Sequence, residues 1–212
     1  MQATVTPNKD TSFGAIVTNV DLNDLDEATW RCVEDAFHQH AALVFPAQHL
    51  CEEAQAAFAA RFGEIELLRE NTKAIQISNK NPDGTVPSSG GETELADMCS
   101  AYDALAQGMK ERIADLCAYH SLYASQAKLG YSTETGAGYG YHAQGAPLRP
   151  LVKIHPVTGR PALCIGRHSY RIPGLEDAEA QALLNELFEF ACQPPRVYTH
   201  NWQPGDFMVW GE

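Results

Sequence analysis

Apolar and polar positions change period several times along the 212-residue chain. Residues 12–22 (SFGAIVTNVDL) place β-branched residues in alternation, the period-two pattern of a strand or hairpin arm. Asp26 and Glu27 then open a helical pattern, in which Trp30, Val33 and Phe37 recur at helical spacing. Residues 41–45 form a short apolar run stopped by Pro46, and residues 52–62 read as an alanine-rich amphipathic helix closed by Gly63. Residues 74–78 (AIQIS) alternate again, as a strand does. Two helical regions follow, residues 94–105 and 108–119, the second with Met109, Ile113 and Leu116 at core spacing. Residues 121–150 are glycine-rich and read as a long loop. Residues 151–155 and 162–165 predict a hairpin around Pro156-Val157-Thr158-Gly159-Arg160. Residues 177–192 carry the strongest amphipathic helix, with Leu183, Leu184, Leu187, Phe188 and Ala191. Strands at 196–201 and 207–210 follow, joined by the tight turn Gln203-Pro204-Gly205-Asp206. Short strands with helices between them, without regular strand–helix alternation, predict an α+β protein with a sandwich or jelly-roll core.

Residues 79–91 break this pattern. Asn79-Lys80-Asn81-Pro82-Asp83-Gly84 is turn chemistry, Pro87-Ser88-Ser89-Gly90-Gly91 is turn chemistry again, and Thr85-Val86 alone separates them. Two turn signals so close, in a chain otherwise built of full-length elements, mark a junction.

Composition narrows the function classes. Hydrophobic residues make up 44% and charged residues 20%, an ordinary globular balance for one domain. The formal charge is −12 and basic residues form no run, which argues against binding nucleic acid or an anionic membrane surface. The apolar run at 41–45 is too short to span a bilayer, and residues 1–10 are polar, so the expectation is a soluble cytoplasmic protein. Six cysteines, at 32, 51, 99, 117, 164 and 192, form no C-x-x-C pair. They read as reduced thiols rather than a zinc site, and a cysteine-nucleophile enzyme ranks last among the readings. His38 and His40 sit two apart on a helix, pointing to different faces near its negative end. No G-x-G-x-x-G opens a helix after a strand, and Gly136-Ala137-Gly138-Tyr139-Gly140 lacks the lysine of a phosphate loop.

Three blocks of sequence together carry a resemblance. The first runs from Phe13-Gly14-Ala15-Ile16 through Val20-Asp21-Leu22, Ala36-Phe37-His38 and Leu43-Val44-Phe45-Pro46 to Phe58 and Arg61-Phe62-Gly63. The second is Gly90-Gly91-Glu92-Thr93-Glu94-Leu95-Ala96-Asp97-Met98 with Ala101-Tyr102-Asp103-Ala104-Leu105. The third is His155-Pro156-Val157-Thr158-Gly159-Arg160, then Trp202-Gln203-Pro204-Gly205-Asp206 with Val209-Trp210. In order and spacing they resemble the TauD/TfdA family, the taurine and 2,4-dichlorophenoxyacetate dioxygenases that use Fe(II) and 2-oxoglutarate. The resemblance implies a double-stranded β-helix (jelly-roll) core with flanking helices, from which strands are missing here. It also implies a small organic acid or sulfonate as substrate. In that family two histidines and a carboxylate hold the iron. Thr93 matches the threonine whose hydroxyl binds a 2-oxoglutarate carboxylate. A separate reading makes Thr93 the N-cap of a following helix.

The metal ligands do not carry over. None of the eight histidines is followed two residues on by Asp or Glu, so the H-x-D (or H-x-E) pair is missing from the interval where the family places it, residues 81–89. The chain also stops before the family's distal histidine and its 2-oxoglutarate-gripping arginine. The expectation is one TauD/TfdA-like domain over residues 1–212, with an internal deletion near residues 84–87 and a C-terminal truncation after residue 210. No catalytic and no metal-binding residue is assigned, and Thr93 is the single cofactor-binding position. A metal site rebuilt from His142, His155, His168 and His200 with Asp97 or Asp206 is disfavoured, because ligand distances tolerate only fractions of an ångström. The chain is then an impaired dioxygenase, or a non-catalytic remnant acting as a binding or subunit-interaction protein, with a homo-oligomer as one form.

Overall fold

The computed structural model describes residues 3–65, 83, 85, 90–131 and 145–211. In chain order the elements begin β1 (Thr4–Pro7), β2 (Ala15–Thr18), α1 (Glu27–His40), β3 (Ala42–Phe45) and α2 (Glu52–Ala59). Next come β4 (Thr93–Ala96), α3 (Met98–Ala104), α4 (Gln107–Ile113), β5 (Cys117–His120), α5 (Leu122–Lys128) and β6 (Leu148–Pro150). The last are β7 (Val152–Ile154), β8 (Pro161–Leu163), β9 (Ser169–Tyr170), α6 (Asp177–Ala191), β10 (Val197–His200) and β11 (Phe207–Trp210). They fall into two compact units, one made of residues 1–95 and 197–212, the other of residues 96–196.

The first unit is built on a four-stranded sheet of order β1-β2-β3-β11. β2 lies parallel to β3 (Ala15↔Leu43), and β11 lies antiparallel to it (Phe207↔Phe45, Trp210↔Ala42). With neighbours on both sides, β3 is buried at all four positions, which explains why its sequence is an unbroken apolar run rather than an alternation. β2 keeps the alternation expected of a half-covered strand, with Ala15 and Val17 inward. Its antiparallel partner β1 is mostly exposed, and its polar sequence gave no signal. α1 begins where Asp26 accepts a 2.7 Å hydrogen bond from the Thr29 N–H. It ends at Ala41, whose left-handed backbone (φ 61°) turns the chain straight into β3. Trp30 and Val33 face the core with Phe45 and Phe58, and Trp30 and Phe62 meet edge to face at 5.0 Å. The strand expected at residues 74–78 and most of the 79–91 junction lie outside the described residues.

The second unit packs α6 through Ala180, Leu183, Leu184 and Leu187 onto a core that includes Ile113, Leu151 and Ile172. β5 is the middle of a three-stranded sheet, β6-β5-β9. The expected hairpin is present as β7 and β8, in register Val152↔Leu163. Three expectations need correction. The region 108–119 is not helical to its end: α4 stops at Ile113 and Cys117 opens β5. Residues 94–105 are not one helix: β4 comes first, and Asp97 caps α3 by accepting from the Ser100 N–H at 2.9 Å. The glycine-rich stretch is not all loop either, because its ends form α5, capped by Ser121, and β6. All six cysteines are free thiols. Among the described residues, no helix is long and apolar enough to cross a membrane.

Two histidines of this unit make its stability depend on pH. Burial pushes both rings below the ordinary histidine value of 6.5, with Arg149 adding to the effect at His120 and Arg167 at His168. Below pH 6.5 the unfolded chain takes up these protons before the folded one does. The contribution is therefore complete above that value and is lost as the pH falls beneath it. The urea midpoint of the second unit is expected to be lower at about pH 5.5 than at about pH 7.5, and His120→Gln to shrink the difference. An unchanged midpoint across that interval would show that the rings stay solvated.

Candidate cofactor-binding site

Gly90 and Gly91 both have positive φ (91° and 96°), a backbone open to glycine and strained for other residues. They deliver Thr93 to the start of β4, beside β10 in a two-stranded ribbon. Across this ribbon the Thr199 hydroxyl donates to Glu94 Oε1 at 3.4 Å. β10 leads through the turn at 203–206 into β11. Gly205 has φ 90°, a backbone strained for other residues, and a Cβ there would sit 2.5 Å from the His49 ring and force it to move. The Gly205 carbonyl is held by the Gln48 and His49 N–H groups at 2.7 and 3.1 Å.

A polar chain runs inward from this turn. Asp206 Oδ2 accepts from His200 Nε2 and from the Gln203 N–H, each at 3.0 Å. Both side chains are almost fully buried, at 9% exposure for His200 and 7% for Asp206. An ionised carboxylate only accepts, so Nε2 carries the ring hydrogen. The other nitrogen, Nδ1, lies 3.2 Å from the Tyr198 hydroxyl, which donates to it. Burial, and then the Asp206 charge, raise the Tyr198 phenol above its ordinary value and keep that proton in place. Trp202 stands edge-on to the His200 ring at 4.7 Å, and its indole N–H donates to Thr93 Oγ1 at 2.9 Å.

The helix-capping alternative for Thr93 fails, because the capping residue is Asp97. Thr93 is a strand residue with its hydroxyl engaged by a side chain from the neighbouring strand's end. Of the residues considered for a rebuilt metal site, the structure brings His200 and Asp206 together, and His155 and His168 have partners of their own. His155 Nδ1 accepts from the Val157 and Thr158 N–H groups in the β7–β8 turn, and His168 Nδ1 pairs with Ser125 Oγ at 2.7 Å. His142 lies outside the described residues. The tie between His200 and Asp206, six residues apart across the turn, was within reach of sequence reasoning as a histidine and an aspartate flanking Q-P-G. The Trp202–Thr93 bond joins residues 109 apart and had no local signal.

These residues do not suit Fe(II). Both nitrogens of His200 are committed to protein partners, leaving no lone pair for a metal. No group of three or more His, Cys, Asp or Glu side chains placed to hold an ion occurs among the described residues. Thr93 does suit one end of 2-oxoglutarate, since a half-exposed hydroxyl that accepts from an indole keeps its own hydrogen for a carboxylate.

The comparisons with known proteins agree on the lineage. The family described as "Taurine catabolism dioxygenase TauD, TfdA family" matches residues 4–86 and residues 84–211, two pieces that meet inside the junction. The (S)-phenoxypropionate/alpha-ketoglutarate-dioxygenase of Sphingobium herbicidovorans is 45% identical over 245 aligned positions, covering 95% of this chain and 84% of the relative. That aligned stretch is longer than this 212-residue chain, so the relative carries residues inside it that have no counterpart here. An alpha-ketoglutarate-dependent 2,4-dichlorophenoxyacetate dioxygenase of a Burkholderia species is 32% identical, over 88% of this chain and 78% of its own. The crystal structure of AAD-2 in complex with Mn(II) and N-oxalylglycine is 30% identical and superposes with a TM-score of 0.82, covering 99% of this chain and 88% of that one. The fold is thus the α+β, jelly-roll architecture of those enzymes. With nearly every described element inside the matched segments, the chain belongs to the TauD/TfdA family of Fe(II)- and 2-oxoglutarate-dependent dioxygenases.

Proposed function

We propose that this polypeptide is a dioxygenase scaffold for small organic acids, of the aryloxyalkanoate class named for its relatives, from which the iron-binding H-x-D strand has been deleted at residues 84–86. It retains Thr93 as the contact for one carboxylate of 2-oxoglutarate and does not turn over by itself. The observation that supports this most is the split match at 84–86, at the point where the family's ligand pair belongs, in a sequence with no H-x-D or H-x-E anywhere. Fe(II) in the family supplies oxygen activation next to the substrate. Here Thr93 binds and orients a carboxylate, with the Trp202 indole N–H on the far side of its hydroxyl.

Anaerobic titration of the protein with Fe(II) or Co(II) and 2-oxoglutarate tests the proposal. The expected result is no metal-dependent charge-transfer absorption and no succinate with (S)-phenoxypropionate in air. A saturable absorption band with succinate formed in step with substrate loss would overturn it. The second reading, a binding or subunit-interaction protein, is compatible with the same site and draws on the two intact cores. Co-expression with a full-length relative, read by size analysis, separates a mixed assembly from a homo-oligomer or a free monomer.

A further inference from the structure

We infer that Trp202 is a positioning residue for Thr93, fixing the threonine hydroxyl as a hydrogen-bond donor toward a bound carboxylate. The inference rests on the assignment of Thr93 to 2-oxoglutarate and adds the group that gives the hydroxyl its direction. A threonine hydroxyl has one hydrogen and two lone pairs, and alone it rotates among several arrangements. The indole N–H of Trp202 only donates, and at 2.9 Å it occupies one lone pair of Thr93 Oγ1. The Thr93 hydrogen then has to point elsewhere, and Thr93 makes no other side-chain hydrogen bond among the described residues. A ligand oxygen with lone pairs can then receive that hydrogen.

The indole is itself held. Its ring meets the His200 ring edge to face at 4.7 Å, and His200 is clamped by Asp206 on one nitrogen and Tyr198 on the other. The chain Asp206–His200–Trp202–Thr93 therefore transmits the order of a buried pair to a hydroxyl at the surface of the ribbon. Trp202 is 41% exposed, so solvent and solutes reach one side of its ring. Phenylalanine at 202 would keep the ring contact with His200 and remove only the N–H.

The test is a titration of metal-free protein with 2-oxoglutarate, followed by calorimetry and by the indole N–H resonance of Trp202, for the wild type, T93V, W202F and the double variant. Thr93→Val is expected to weaken binding about ten- to a hundredfold, the loss of one hydrogen bond to a charged group. Trp202→Phe is expected to weaken it about threefold or more, and to have no further effect when Thr93 is already valine. In the wild type the Trp202 indole resonance should shift as ligand saturates. Binding weakened by T93V but not by W202F overturns the role of Trp202 and leaves that of Thr93 standing. So does a loss in W202F that is equally large in the T93V background, which would mark a structural effect. Binding untouched by T93V, or no saturable binding by the wild type, overturns the Thr93 assignment and this inference with it.

Discussion

Phe45→Ala is expected to destabilise the first unit by about 3–5 kcal/mol, enough to leave a large share of it unfolded at room temperature. Phe45 is 0% exposed at the C-terminal end of β3. Its ring meets Phe58 at 5.7 Å and Phe207 at 6.3 Å, and Phe58 in turn meets Phe207 at 5.3 Å. Truncation removes the ring from an aromatic cluster whose members come from β3, α2 and β11, so no single element can move to close the cavity. Phe45→Leu keeps most of the volume and should cost under about 1.5 kcal/mol. All three tryptophans, Trp30, Trp202 and Trp210, belong to this unit, so urea unfolding followed by tryptophan fluorescence reads it selectively. Equal midpoints for the alanine and leucine variants would mean that the cluster is loosely packed.

Asp206→Ala is the second large effect. The carboxylate serves two donors at once, the His200 ring and the Gln203 backbone, in a place where both side chains of the pair are below a tenth exposed. Removing it leaves the buried imidazole N–H without its acceptor and hands the Gln203 N–H to water, at a cost of about 1–3 kcal/mol. Asp206→Asn retains one accepting oxygen and should cost less than half of that. The loss should spread to Trp202, which rests on His200, and appear as a change in tryptophan emission of the still-folded protein. If the alanine variant melts with the wild type and its emission is unchanged, the pair is open to water and orders nothing.

The parts of this protein legible in its sequence are those where period and chemistry coincide. α1 was marked by Asp26 ahead of Trp30 and Val33, and α6 by its leucines, because a helix one turn deep in a core needs that spacing. The β7–β8 hairpin was marked by Pro156 and Gly159 between two apolar runs. β4 was missed because its four residues run directly into the Asp97 cap, so two short elements wear the composition of one helix. β1 was missed because an exposed edge strand has no apolar face to advertise. Thr93 was singled out by motif resemblance, and the residues it meets across the ribbon were not. Its hydrogen-bond partner Trp202 lies just beyond β10 and is brought close by the pairing of β10 with β4, which no short stretch of sequence encodes.

The sheet of the first unit is assembled from both halves of the sequence, with β3 (Ala42–Phe45) gaining its second neighbour from β11 (Phe207–Trp210). During synthesis that neighbour emerges more than 150 residues later, whereas the second unit is contiguous and has its whole sequence available earlier. Until β11 arrives, the most apolar strand of the protein has one open edge, and its backbone groups on that side are free to pair with another nascent chain. Slower translation should therefore favour aggregates seeded through residues 42–45 over those seeded anywhere in residues 96–196.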